Sequence, residues 1–146
     1  MRIFVTLIVI LLLGAQTSDA QESRIALVKV LEGSAFTVQG GERKEVTVGQ
    51  QIFRQDIVET ASGTVGLTFR DGSRISVGPN SRIVFKEFQY SPNEGKLAFL
   101  INLVKGTMHY ISGVIAKLAP ESVKIQTPAA TVAVRGTRLL IKVGDD

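Results

Sequence analysis

The chain has 146 residues, with 17 lysines and arginines, 13 aspartates and glutamates, one histidine and no cysteine. Its net charge of +4 is far from the basic stripe of a nucleic-acid-binding domain. The absence of cysteine excludes disulfides, thiolate metal sites and cysteine nucleophiles, and a single histidine excludes a multi-histidine metal site. The composition therefore predicts no cofactor and no bound metal.

The first twenty residues, MRIFVTLIVILLLGAQTSDA, have the layout of a secretory signal peptide. Arg2 precedes a short apolar run over residues 3–13, and small residues, Ser18 and Ala20, stand at the cleavage-site positions. The run is shorter than the roughly 20 apolar residues that a membrane-spanning helix needs. We predict a signal peptide over residues 1–20, one domain over residues 21–146, and a periplasmic or secreted protein without a membrane span.

Short runs of alternating apolar and polar residues predict strands through the first half of the domain. Turn residues separate them, most clearly at Asp71-Gly72 and at 78–81, GPNS. A polar stretch at 87–96 is rich in turn formers, and we predict that it is the longest exposed loop. The predicted strands cover residues 25–30, 35–38, 46–52, 56–60, 65–69, 75–77 and 83–86.

The second half continues the same pattern with one ambiguous segment. Residues 97–104 are apolar but alternate poorly, so they fit either a buried strand or a helical turn, and Gly106 is expected to end the segment. Further strands are predicted over 107–111, 123–126, 129–134 and 138–143. Because no run shows a capped 3.6-residue period, we predict an all-β fold of many short strands with tight turns, either β-roll or solenoid-like or a sandwich.

Three segments together carry a resemblance to a known family. They read RQDIVETASGTVGLTFRDGSRISVGPNSRIVF, LVKGTMHYISG and VKIQTPAATVAVRGT. In this order they resemble the FecR domain family over about residues 25–143, and the resemblance implies an all-β domain on the export side of the membrane. The best-known members are periplasmic halves of single-span regulators that read an outer-membrane transporter and control a sigma factor. Because we find no spanning helix or cytoplasmic part, we expect a stand-alone binding or interaction module.

Arg135, followed by Gly136 and Thr137, interrupts the apolar stretch near the C-terminus, and two interpretations are open. In the interpretation that we adopt, the guanidinium organises the closing strands by pairing with a carboxylate such as Asp56 or Glu59. In the other, Arg135 clamps a carboxylate or phosphate of a ligand. Gly136 would permit a positive φ or a close approach at this point.

Arg70, Arg74 and Arg82, with Lys86, occupy outward positions of consecutive predicted strands. If these strands stack, the four cations form a basic ladder that could bind anionic glycans, lipid headgroups or an acidic partner. The interpretation of these four cations that we favour is ordinary surface charge that keeps strand edges from pairing with other chains. We predict that the 87–96 loop and the nearby ladder form the binding surface.

The sequence offers no catalytic signature. His109 is not accompanied by a Gly-x-Ser-x-Gly elbow and is interpreted as structural or superficial. Turn chemistry explains residues 71–73 and 80–81 better than a calcium site does, and nothing favours a glycan hydrolase that uses Glu87 and Glu94. We predict a non-enzymatic module that binds a protein or glycan of the envelope and no nucleic acid. A structural component of a cell-envelope assembly is the alternative.

Overall fold

The computed structural model describes residues 24–144. The predicted signal peptide, residues 1–20, lies outside the described residues, so its prediction stands as made. Between residues 24 and 144 the chain forms twelve strands, one short α-helix and two 3-10 turns, and the predicted all-β fold class is confirmed. No helix in this described part has the length and apolar character needed to cross a bilayer.

The strands follow one another closely along the chain. Helix α1 spans Val114–Leu118, and the 3-10 turns span Pro92–Glu94 and Pro120–Ser122. The strands are β1 (Ala26–Glu32), β2 (Ala35–Gln39), β3 (Glu42–Glu45), β4 (Gln51–Ile52), β5 (Ile57–Thr60), β6 (Thr64–Phe69), β7 (Arg74–Val77), β8 (Arg82–Ser91), β9 (Lys96–Ile111), β10 (Val123–Gln126), β11 (Thr131–Ala133) and β12 (Arg138–Val143).

Two sheets form from these strands, and β9 belongs to both. The first sheet has the order β4-β1-β6-β7-β9-β12, and the second has the order β3-β2-β5-β8-β9-β10-β11. Every pairing is antiparallel except that of β9 with β10, which is parallel. The crossover between these two strands contains α1 and the second 3-10 turn, as a parallel connection requires.

The 16-residue strand β9 changes sheets at Gly106. Residues 96–105 pair with β8, whereas residues 106–111 pair with β12 and mostly also with β7. The buried side chains accordingly switch from odd positions, ending at Leu103, to even positions, beginning at Met108. Gly106 has a φ of +94°, which a residue with a side chain adopts with strain. The prediction that Gly106 ends the segment was therefore wrong, and the change of face explains the poor alternation.

The core lies between the two sheets and centres on phenylalanine rings. Phe69 of the first sheet contacts Phe85, Phe88 and Phe99 of the second, with ring centroids 5.3, 5.8 and 4.8 Å apart. All four side chains are buried, and burial of one such ring stabilises the fold by about 1.5–3 kcal/mol. The sheets therefore pack face to face through their aromatic residues.

The stretch at 87–96 is a tight hairpin, so the prediction of a long exposed loop was wrong. β8 continues to Ser91, which lies opposite Lys96 of β9, and only the short turn Pro92–Glu94 and Gly95 connect the strands. Phe88 faces Phe99 across the pair, and the two rings meet edge to face at 5.0 Å. Cross-strand packing thus extends the hairpin through a segment whose composition favours turns.

Candidate functional site

Buried hydrogen bonds around Ser81 account for part of the family-like signature. The Ser81 N–H donates to the Thr60 hydroxyl oxygen at 3.0 Å, and the Thr107 N–H donates to Ser81 Oγ at 2.9 Å. Ser81 is only 1 % exposed. A Cβ at Gly106 would collide with Ser81, so this glycine is required for the close approach of the two strands. We call this arrangement the Ser81 corner, and its role is to join β5, β8 and β9.

Asp71 organises a second buried polar group at the turn between β6 and β7. Its carboxylate accepts hydrogen bonds from the Ser73 N–H at 3.0 Å, the Ser73 hydroxyl at 2.5 Å and the Ile115 N–H at 3.2 Å. Its carbonyl accepts from the Val114 N–H at 2.8 Å. A Cβ at Gly113 would collide with Ser73 N and lie 2.6 Å from the Asp71 carbonyl oxygen. This Asp71 corner therefore fastens the start of α1 to the first sheet.

Tyr110 completes the buried part of the signature. Its ring is fully buried and meets Phe99 edge to face at 6.2 Å, and its hydroxyl has no hydrogen-bond partner in the described part of the chain. Burial raises the pKa of Tyr110 to about 12, and the nearby Asp71 carboxylate acts in the same direction. Tyr110 is thus held neutral in the core.

The last signature segment differs from the others because residues 128–131 and 135–137 are exposed, although Val123, Ile125 and Val134 are buried. Thr127 closes a local turn in which its hydroxyl oxygen accepts from the Ala130 N–H at 3.2 Å. Arg135, Gly136 and Thr137 are all exposed. Their backbone is fixed to the end of β9, because Ser112 donates to the Gly136 carbonyl through Oγ at 2.9 Å and to the Thr137 carbonyl through its N–H at 2.9 Å.

Arg135 does not have the role that we predicted for it. Within residues 24–144, Arg135 forms no ion pair with the expected carboxylates and no hydrogen bond with any residue. Glu59 pairs with Arg82 and with Arg43, which lies 3.9 Å away. The buried Asp56 accepts from Gln39 Nε2 and from the Phe53 N–H, each at 2.7 Å. Gly136 does have the positive φ that its position suggested, +85°.

The predicted basic ladder is divided between the two sheets. Arg82 lies in β8 of the second sheet, paired with Glu59, and Lys86 lies on the same strand. Arg74 lies in β7 of the first sheet, and Arg70 lies in the turn that precedes it. Because β7 and β8 pair with different parts of β9, their cations cannot form a continuous row. The four cations therefore do not form the ladder that we considered.

A different group of cations gathers at one end of the first sheet. Arg74 and Arg138 stand opposite Ile111 on its two sides, in β7 and β12, and both are exposed. The loop that carries Arg135 is fixed to the same end through Ser112. We call Arg74, Arg135 and Arg138 the arginine corner. Arg70 lies in the neighbouring β6–β7 turn and adds a fourth positive charge to this end of the sheet.

In the described segments that carry Arg74, Arg135 and Arg138, no acidic side chain is exposed. Residues 64–77, 106–118 and 134–144 contain six lysines and arginines but a single acid, Asp71. Asp71 is 2 % exposed, and its oxygens already accept three hydrogen bonds. By contrast, the cations Arg43 and Arg82 of the second sheet share Glu59. The arginine corner therefore has a positive electrostatic potential that favours anions.

The outer face of the first sheet continues from the arginine corner. His109 lies half-buried in the middle of this face, between Ser76 of β7 and Leu140 of β12. Leu140 is 68 % exposed, and Lys142 follows it on the same face. This face therefore combines cations with an exposed apolar side chain beside the sole histidine. Arg138, Leu140 and Lys142 were absent from the predicted site, although the alternating RLLIKV pattern places all three on one face.

A cleft of about 410 Å³ lies on the other side of the domain. It is lined by Gln39, Gly40, Phe53, Arg54, Gln55 and Asp56. Its polar groups are largely engaged, because Gln39 donates to Asp56 and Gln55 donates to the Lys86 carbonyl at 2.8 Å. Gln55 has a φ of +71°, a conformation in which a non-glycine residue is strained. The hydrogen bond of its N–H to the Phe85 carbonyl at 2.7 Å helps to hold it there.

The two glutamates considered for hydrolysis occupy different parts of the β8–β9 hairpin. Glu94 is exposed in the turn and pairs with Lys96 at 3.3 Å, whereas Glu87 is half-buried within β8 opposite Leu100. In the described part of the chain, no group of three or more His, Asp or Glu side chains is placed to hold a metal ion. The prediction of a non-enzymatic protein stays a prediction.

Comparison with known proteins identifies the family. The family model described as FecR protein matches residues 56–146, which is more than half of the chain. The match includes the Ser81 corner, the Asp71 corner and the arginine corner, and it begins after β4. No curated protein and no solved structure matches the chain. The predicted resemblance is confirmed, and the chain belongs to the FecR protein family.

Proposed function

We propose that this protein is an exported, non-enzymatic interaction module that binds an anionic partner of the cell envelope through the arginine corner. The observation that carries the proposal is the exposure of Arg135. It belongs to the signature, yet it makes no hydrogen bond or ion pair with the described residues, whereas Thr60, Asp71, Ser81 and Tyr110 lie in the interior. A side chain that the fold does not use is available for binding.

The chemistry of the corner suits carboxylate or phosphate groups. An arginine presents a planar fork of N–H donors that can engage such a group with two parallel hydrogen bonds. Arg74 and Arg138 flank the same residue of β9, so their positions are set by the sheet. Attachment of the Arg135 loop to Ser112 sets the third position. Because the sheet and the two Ser112 hydrogen bonds hold the backbone at these positions, the main ordering cost on binding falls on the arginine side chains.

Membership in the FecR family supports a role in envelope sensing at the level of the family. The predicted signal peptide supports an envelope location. The surface properties support recognition rather than chemistry, because Lys and Arg side chains dominate the corner and the side chain of the sole histidine makes no hydrogen bond in the described part of the chain. We therefore place the function in binding, with the anionic group as the recognised feature.

The proposal can be tested by binding measurements on the purified protein with polyglutamate and with an acidic polysaccharide at two salt concentrations. We expect binding of at least one probe to weaken as salt rises, because exposed charges are screened within about 10 Å at 0.1 M ionic strength. Loss of one bidentate arginine contact should lower the affinity about tenfold. The test variant is Arg135→Ala combined with Arg138→Ala, and the matched control is Lys124→Ala, an exposed cation of β10.

Two results would contradict the proposal. One is binding that the double variant weakens no more than Lys124→Ala does. The other is that neither probe binds while the protein retains its cooperative thermal transition. Turnover of a cell-wall polymer by the unmodified protein, with loss of turnover in Glu87→Gln, would instead establish an enzyme.

A further inference from the structure

In the part of the chain that the structure describes, the two sheets end in four edge strands, and three of these edges are protected against pairing with another chain. β3 has the sequence ERKE and is exposed and charged at every position. β4 has only two residues and β11 only three. β12 differs, because it has six residues, RLLIKV, of which four are apolar. Charge and short length are common ways to protect an edge, so β12 is the open edge of this domain.

The backbone of β12 presents a regular row of free groups at this edge. The Ser112 N–H donates to the Thr137 carbonyl at 2.9 Å, so these two residues form a hydrogen-bonded pair of the β9–β12 ladder. In an antiparallel ladder such pairs alternate with non-bonded pairs. The backbone groups of Arg138, Leu140 and Lys142 therefore point away from β9. Among the residues that the structure describes, β12 pairs only with β9.

The side chains of β12 are covered less completely than those of its neighbour. Leu139, Ile141 and Val143 face the core but are only partly buried, whereas Met108 and Tyr110 of β9 are fully buried. An added strand would cover this apolar surface and pair the free backbone groups at the same time. The edge therefore has the properties of a site for β-strand addition.

The charges on β12 indicate what kind of strand fits. Arg138 and Lys142 lie on the outer face on either side of Leu140. When a second copy pairs through the same edge about a twofold axis, the register with the most contacts sets Arg138 opposite Lys142. Like charges directly opposite each other in a sheet are destabilising. A strand with carboxylates at these positions would instead pair with both cations.

We propose that the edge of β12 binds an extended segment of a partner protein as an added strand, with acidic side chains opposite Arg138 and Lys142 and apolar side chains beside Leu139 and Ile141. This inference rests on the proposed function, because the same end of the sheet supplies the positive charge. It adds the class of partner, an acidic protein segment, and the mode of binding. Side-chain recognition by Arg135 and backbone pairing by β12 then act on one ligand.

The test uses a synthetic peptide that alternates glutamate and valine, and a control peptide with lysine in place of glutamate. We expect only the glutamate peptide to bind. By NMR, amide hydrogen exchange of Arg138, Leu140 and Lys142 should slow at least about tenfold on binding, because these N–H groups gain partners. The amides of β3 should not change. Arg138→Glu combined with Lys142→Glu should reverse the preference between the peptides.

A matched pair of variants isolates the backbone contribution. Leu140→Pro removes one outward N–H without removing a hydrogen bond to β9, and proline is tolerated at such edge positions. Leu140→Thr removes the leucine side chain but keeps the N–H. Both variants must keep the cooperative thermal transition of the parent protein. We expect Leu140→Pro to lower the affinity for the glutamate peptide about tenfold relative to Leu140→Thr.

The outcomes separate this inference from the proposed function. Binding that depends on Arg135 without protection of the β12 amides would overturn strand addition and leave the proposed function intact. If the acidic polysaccharide binds but the glutamate peptide does not, strand addition is likewise overturned and the proposed function stays intact. A dimer of the unmodified protein that Leu140→Pro dissociates would assign the edge to a second copy and overturn the acidic partner. Failure of every anionic probe would overturn both proposals.

Discussion

Replacement of Asp71 by alanine should destabilise the protein more than any substitution at the arginine corner. The Asp71 side chain accepts three hydrogen bonds at a position that is 2 % exposed. Alanine would leave the N–H groups of Ser73 and Ile115 buried without partners, while the Ser73 hydroxyl can rotate. Each such backbone donor costs about 1–3 kcal/mol, so we expect the free energy of unfolding to fall by about 4 kcal/mol.

The loss can be measured by urea unfolding and by calorimetry. For a domain of this size, about 4 kcal/mol corresponds to a fall in Tm of roughly 15 °C. Asp71→Asn keeps one carbonyl oxygen as an acceptor and should lie between the parent and the alanine variant. Glu94→Ala is the control, because its exposed ion pair with Lys96 contributes under about 1 kcal/mol.

The result that refutes this reasoning is a loss below about 1 kcal/mol in Asp71→Ala, or a loss no larger than that of Glu94→Ala. Either would mean that water or a rearranged turn satisfies the freed donors. The hydrogen bond from Val114 to the Asp71 carbonyl survives the substitution, so it does not contribute to the difference.

Three further expectations concern single positions. The pKa of Tyr110 is raised from 10.0 to about 12, so the contribution of its neutral form to the free energy of unfolding is complete below pH 10 and is lost as pH rises through 12. The midpoint of urea unfolding, measured against pH, should show this loss in the parent protein. Tyr110→Phe should remove it. Gly106→Ala should lower the free energy of unfolding by several kcal/mol, because the new Cβ would collide with Ser81. Gly41→Ala is the control: its Cβ has open space, so we expect only the roughly 1–2 kcal/mol that a left-handed backbone conformation costs. Arg135→Ala should change the free energy of unfolding by less than about 0.5 kcal/mol, and a loss of several kcal/mol would restore the structural role predicted from the sequence.

Much of the strand content followed from local pattern alone. β10 and β12 have the predicted bounds, because in both cases a regular alternation or a short apolar run is bounded by turn residues. β3 was missed, since its four charged residues have no alternation to detect and form a strand only by pairing with β2. Helix α1 was also missed; it has five residues, too few to show a helical period.

The site was less predictable because it depends on which strands become neighbours. Arg135 was assigned to Asp56 or Glu59 on chemical grounds, yet those carboxylates lie near Gln39 and Arg82 in the second sheet. Arg138 lies near Arg74 only because β12 and β7 flank the same residue of β9, Ile111. These two arginines are more than sixty positions apart in sequence, so no local pattern predicts that they are neighbours. The exposure of Arg138 could be predicted from sequence, because RLLIKV alternates between polar and apolar residues.

The sharing of β9 between the two sheets bears on how the domain unfolds. Among the described residues, β9 pairs with four strands, with β8 and β10 in the second sheet and with β7 and β12 in the first, so loss of β9 would disrupt both sheets. Damage to the Ser81 corner and damage to the Asp71 corner should therefore lower the same single cooperative transition rather than separate ones. The protein should behave as one thermodynamic unit despite its two-layered construction.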